Sequence, residues 1–148
     1  MTAVSACREL SFIEAPVDSV WGLVGDPRRF PEWWPRVVQV QGEEFVEGTE
    51  FVQVTKNPVG REEATNFSLD LLDPDMHEVR MHCQLSGYYA HWRLTGGRGG
   101  TFTEVEFGVD PQRRSDRVFD AVLGRMYMRR WLNQSLQALR ERVAGVQA

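Results

Sequence analysis

Apolar and polar positions alternate most cleanly in two stretches. Val79, Met81, Cys83 and Leu85 interleave with Arg80, His82 and Gln84, and Thr103, Val105 and Phe107 interleave with Phe102, Glu104 and Glu106. A period of two marks strands with one buried and one wet face. A first strand is predicted from Cys7 to Glu14, stopped at Ala15-Pro16. Further β-rich runs cover about 37–43, 49–56, 62–72, 77–86, 88–95 and 101–109, separated by turn-forming residues such as Pro58-Val59-Gly60 and Asp73-Pro74-Asp75. Short turns between successive strands imply an antiparallel meander. Two segments change period. Val17, Val20, Trp21 and Val24 recur at helical spacing behind Pro16, predicting a short helix over about 16–24, and after Pro111 a helical pattern of roughly 30 residues runs to about Val143, some 45 Å long. Between them, Phe30-Pro31-Glu32-Trp33-Trp34-Pro35 packs three aromatics and two prolines into six residues, which allows one helical turn at most.

Two positions leave alternatives open. In the strand 88–95, one parity turns Tyr88, Ala90, Trp92 and Leu94 inward, and a slip by one residue replaces them with Tyr89, His91 and Arg93. The first is preferred, because burying His91 and Arg93 demands partners that the sequence does not advertise. In the last helix, the stripe Leu132, Leu136, Leu139 and Val143 projects backwards onto Arg129 and Arg125, whereas Phe119, Val122, Leu123 and Met126 form a stripe rotated by roughly 100°. A straight helix would aim Arg125 or Arg129 inward as an anion clamp. A bend at Gly124 would turn both to solvent, and this is the preferred reading.

The order of strand, short helix pair, six-stranded meander and long C-terminal helix is a helix-grip order. The chain resembles the SRPBCC or Bet v 1-like (START-like) superfamily, in its polyketide cyclase/dehydrase and lipid-transport group. The resemblance rests on Ile13-Glu14-Ala15-Pro16 with Val20-Trp21 and Leu23, Asp26, Phe30-Pro31-Glu32-Trp33, Pro35, Gly99-Gly100-Thr101 and the Leu136–Leu139 end of the last helix, and covers about 5–143. It implies an α+β fold in which a curved seven-stranded antiparallel sheet wraps a long C-terminal helix, with a deep cavity between them for apolar or aromatic molecules. It carries no catalytic motif and leaves cyclase or dehydratase activity, an inert lipid carrier or sensor, and a co-chaperone-like interaction module all open.

On that reading the ligand-binding candidates are Trp33, Trp34, Phe51, Phe67, Leu69, Met81, Cys83, Tyr88, Trp92, Phe107, Val122 and Met126. Of the adjacent indoles Trp33 and Trp34, one is expected in the core and the other at a pocket mouth or in solvent. Tyr88, His91, Arg93 and Arg129 are the polar groups to test for catalysis. No metal and no cofactor are expected, since His77, His82 and His91 show no metal-ligand spacing and Cys7 and Cys83 no Cys-X-X-Cys motif; both thiols read as buried and free. Gly96-Gly97-Arg98-Gly99-Gly100 precedes a strand rather than a helix, so it reads as a flexible hairpin loop and not a phosphate cradle.

Composition adds limits. At 148 residues with 42% hydrophobic content, one domain spanning 1–148 is expected. A net charge of −4 argues against nucleic acid as partner, although eight arginines after Pro111 make a local basic face that reads as solvated. Without an export-like start or a membrane-length apolar run, a cytoplasmic protein with no stable membrane insertion is expected, monomeric or homodimeric, with a hydrophobic small molecule as partner.

Overall fold

A computed structural model describes residues 5–57, 59–109 and 117–147, with side chains at 6–57, 59–109 and 125–145. The seven strands are β1 (Ser5–Ile13), β2 (Val37–Gln41), β3 (Glu50–Lys56), β4 (Glu62–Asp73), β5 (Glu78–Cys83), β6 (Tyr88–Gly97) and β7 (Gly100–Val109). The helices are α1 (Val17–Val24), α2 (Phe30–Trp33) and α3 (Arg117–Gln147), with a single 3₁₀ turn over Pro27–Arg29. The sheet is antiparallel in the order β1-β7-β6-β5-β4-β3-β2. Strands β2 to β7 form the meander, and β1 crosses over to pair with β7 along its whole length.

Local chemistry explains these elements. Asp26 accepts the Arg28 backbone N–H at 3.1 Å and so caps the 3₁₀ turn. Between β6 and β7, Arg98 (φ 54°) and Gly99 (φ 77°) make a two-residue turn of the primed kind that matches strand twist. The expected flexible loop is therefore a continuation of the ladder, with Gly97 paired to Gly100. Gly100 has to be glycine, since a Cβ there would lie 2.5 Å from the Ile13 carbonyl oxygen.

The core lies between the sheet's concave face and α3. Met128, Leu132, Leu136, Leu139 and Val143 form the buried stripe of the helix, which packs on β1 and β7. The clean alternations predicted for β5 and β7 are present, with Val79, Met81, Cys83, Thr103, Val105 and Phe107 all buried. Leu85 departs from them: β5 ends at Cys83, so Leu85 sits in the following turn and is exposed. Cys7 and Cys83 are buried free thiols.

The parity of β6 resolves with Ala90, Trp92 and Leu94 buried inside, and it supplies partners for the residues on the opposite, convex face. There His91 meets Glu78 at 2.6 Å, Arg93 reaches Glu78 and Glu104 at 3.2 and 3.4 Å, and Arg8 holds Glu106 at 2.6 Å. Tyr89 lies across Gly108, where a Cβ would come within 2.6 Å of the phenol ring, and donates its hydroxyl to Glu106. Burial pushes the Glu106 carboxyl up, but the hydrogen bonds from Tyr89 and Arg8 and the charge of Arg8 outweigh it and hold the group below its ordinary value. A carboxyl with a lowered folded-state pKa stabilises the fold above the unfolded value and loses that contribution as pH falls through the folded one. Acid unfolding is thus expected to steepen below about pH 4.5, the ordinary Glu value, and Glu106→Gln to flatten that limb in circular-dichroism melts. A melt profile identical for both proteins would show that Glu106 carries no such linkage.

Candidate ligand-binding site

Aromatic rings cluster on the concave side. Trp33 and Trp34 are both buried and stack at 5.4 Å with 5° between their planes. Of the two places expected for the second indole, a pocket mouth or solvent, solvent is therefore excluded. Trp33 closes α2, whereas Trp34 has extended backbone (φ −79°, ψ 116°), and this change of conformation swings the two side chains to the same side. Trp33 donates its indole N–H to the Leu23 carbonyl at 3.1 Å. Trp92 meets both indoles edge-on at 5.5 and 5.8 Å, and Phe107 and Trp131 complete the cluster.

This cluster fills the innermost part of the grip. Trp92 and Leu69 retain 0% of their surface accessible, Met81 1% and Phe107 2%, and a hollow wide enough for water would leave its walls accessible. Burial becomes less complete toward the other end of the groove. Phe67, opposite Phe51 and Cys83 and hence inward, is only half-buried, as are Tyr127 and Trp131 on α3. Tyr88 sits on the rim, 36% exposed. At the end of the groove near the β3–β4 turn the inward positions become polar: Gln53, Thr55 and Thr65 follow the strand parity of Phe51 and Phe67.

The remaining candidates fall elsewhere. Met126 is 66% exposed and does not line the interior, because the buried stripe of α3 passes through Met128 and Leu132. Arg129 points outward to Glu9 at 3.8 Å, and Arg125 is exposed, so the inward anion clamp is not formed by either. Val122, Val118, Phe119 and Leu123 lie outside the residues whose side chains are described. His91 and Arg93 belong to the convex face, where with Arg8, Glu104 and Glu106 they line a shallow cleft. Each charge in that cleft already has a partner. His82, also on that face, meets Asp70 at 2.7 Å. Among the described residues no group of His, Cys, Asp or Glu is placed to hold a metal ion.

Beside the indoles of Trp34 and Trp92, which the sequence marks as candidates, the groove holds Gln53 and Thr103, which it does not. Trp34 Nε1, Trp92 Nε1, Gln53 Oε1 and Thr103 Oγ1 are buried without a hydrogen-bond partner. A polar residue at inward parity, as at Gln53 beside Phe51, was the available signal. Arg36 and Tyr127 had no such signal, since their meeting joins segments distant in the chain; the guanidinium lies 5.3 Å from the Tyr127 ring centroid. Burial pushes the Tyr127 phenol up and Arg36 only partly offsets this, so the hydroxyl stays protonated at neutral pH.

Comparison with known proteins places this architecture. The family model described as "Polyketide cyclase / dehydrase and lipid transport" matches residues 7–144, nearly the whole chain. The chain belongs to the polyketide cyclase/dehydrase and lipid-transport family. No curated protein matches significantly by sequence. Among solved structures, members of the same fold include a protein of Thermus thermophilus (16% identity, TM-score 0.77, covering 97% of this chain and 99% of that one). The Zhui aromatase/cyclase from Streptomyces sp. R1128 is similar at 15% identity and TM-score 0.75, over 94% and 93% of the two chains. A START superfamily protein from Mycobacterium smegmatis matches at 12% identity and TM-score 0.73, over 95% and 98%. Identities this low establish the shared helix-grip fold. No helix among the described residues of this member of the polyketide cyclase/dehydrase and lipid-transport family is long and apolar enough to cross a membrane.

Proposed function

We propose that this protein binds an apolar, aromatic or polyketide-like small molecule between the sheet and α3, seated against Phe51, Phe67, Cys83, Tyr88 and Trp131, with ligand oxygens reaching the indole N–H groups of Trp34 and Trp92 by displacing the rings that cover them. The observation that carries this reading is the set of four buried, unpartnered polar atoms on the concave side. A core built only to be packed would avoid them, since each unsatisfied group costs about 1–3 kcal/mol. Two of the four, the indole N–H groups, can only donate, so they suit a ligand rich in carbonyl-type acceptors.

Binding is favoured over catalysis because a proton-transfer step needs an acid or base within hydrogen-bond reach of the reacting atom. His91, Arg93 and Arg129 face away from the groove, and of the four catalytic candidates only Tyr88 borders it. Native mass spectrometry of the purified protein is expected to show a co-purified apolar adduct. Calorimetric titration is expected to rank 2-acetylnaphthalene, which carries a carbonyl, above 2-ethylnaphthalene. Equal affinity for the two would remove the role given to the indole N–H groups, and no binding of either, with no adduct, would sink the reading.

A further inference from the structure

Arg36 is held in a conformation that an L-residue adopts at a cost. Its φ of 73° lies in the left-handed region, in a position where neither glycine nor asparagine relieves the strain. Such strain persists only where the surroundings over-determine it, and they do so here. The Arg36 carbonyl accepts the Lys56 N–H at 2.8 Å, the neighbouring Pro35 carbonyl accepts the Trp131 indole N–H at 2.8 Å, and the Arg36 guanidinium donates to the Asn57 carbonyl at 3.3 Å. The result aims a half-buried cation across the Tyr127 ring at the polar end of the groove.

No carboxylate among the described residues answers this charge within ion-pair distance. Glu63, the acidic group nearby on the inward parity of β4, is drawn off by the Asn57 side-chain amide at 3.1 Å. Four of the five guanidinium N–H groups are therefore available, in the planar fork that suits a carboxylate. On the inward face of β3, Gln53 is 1% exposed and its Oε1 has no partner, although its Nε2 donates to Thr55 at 3.3 Å. We infer that Arg36 binds a carboxylate at one end of an otherwise apolar ligand, with the ligand's body running along the groove past Tyr127 and Phe67. The anion-holding role weighed for Arg125 or Arg129, and set second to their facing solvent, thus falls to an arginine on the sheet's edge. This inference rests on the apolar-binding reading above and adds the chemistry of one ligand terminus.

The test is calorimetric titration of the wild-type protein and Arg36→Gly with two matched pairs, 2-naphthoate against methyl 2-naphthoate and decanoate against 1-decanol. In each pair the body is kept and the charge removed. The wild type is expected to bind at least one acid about tenfold more tightly than its neutral mate, at the low end of what a charge-assisted hydrogen bond supplies. Arg36→Gly is expected to lose that preference while binding the neutral mate within about twofold of wild type. Glycine accepts positive φ, so the unfolding midpoint of the variant should be unchanged or higher, which a purely structural arginine would not allow. Unchanged acid affinity in Arg36→Gly, or equal losses for acid and neutral mate together with a lowered midpoint, overturns the assignment and leaves the apolar site standing. Failure of all four probes to bind the wild type removes the apolar-binding reading itself, and this inference with it.

Discussion

Replacing Trp92 by alanine is expected to destabilise the protein by about 3–5 kcal/mol, the range for removing a large aromatic from a packed core. Its side chain is fully buried and touches Trp33, Trp34 and Phe107, so the hole left behind would be walled by rigid rings that cannot close over it. In a domain of this size that corresponds to a fall in melting temperature of roughly 10 °C or more. Trp92→Phe separates two roles of the residue. It keeps most of the ring volume and removes the unpartnered indole N–H, so the stability loss should be much smaller than for alanine, while preference for a ketone-bearing ligand should weaken. Urea melts of both variants, with the naphthalene titrations, give the answer. A Trp92→Ala protein as stable as wild type would mean that the ring cluster does not hold the sheet to its neighbours.

The second large effect is expected at Leu132 on α3. Leu132→Ala should cost about 2–5 kcal/mol because the side chain is fully buried on the sheet-facing stripe, whereas Met126→Ala, six residues earlier and 66% exposed, should stay within about 0.5 kcal/mol of wild type. The contrast is a direct test of how the helix is rotated. The periodicity of residues 119–126 suggested the stripe on which Met126 faces inward, and comparable losses at Met126 and Leu132 in denaturant melts would restore it.

Much of the fold was legible in the residues. Strand order, the helix pair and the long last helix follow from signals that act over a few positions: alternation in β5 and β7, the Ala15-Pro16 and Asp26-Pro27 breaks, and helical spacing after Pro111. The inward parity of β6 was legible as well, because the alternative would have buried His91 and Arg93, and the fold instead pairs them with Glu78 and Glu104 on the convex face. Family membership completes that part of the picture.

The candidate site was legible only as a list of apolar and aromatic side chains, most of them inward. Nothing local shows that Trp33 and Trp34 stack against one another, since that depends on one extended residue at the end of α2 and on Trp92 arriving from β6. Nor does spacing reveal Arg36, whose corner is tied to α3 by a hydrogen bond spanning 96 positions of sequence. The amino-acid order by itself determined which elements form and which face of each is apolar, because those choices are made by backbone sterics and by burial periodicity within a few residues. Only the tertiary structure decided which part of the concave side its own rings fill, which polar atoms stay unpaired there, and which arginine meets the groove, because each of these is settled by contacts between segments that the chain keeps far apart.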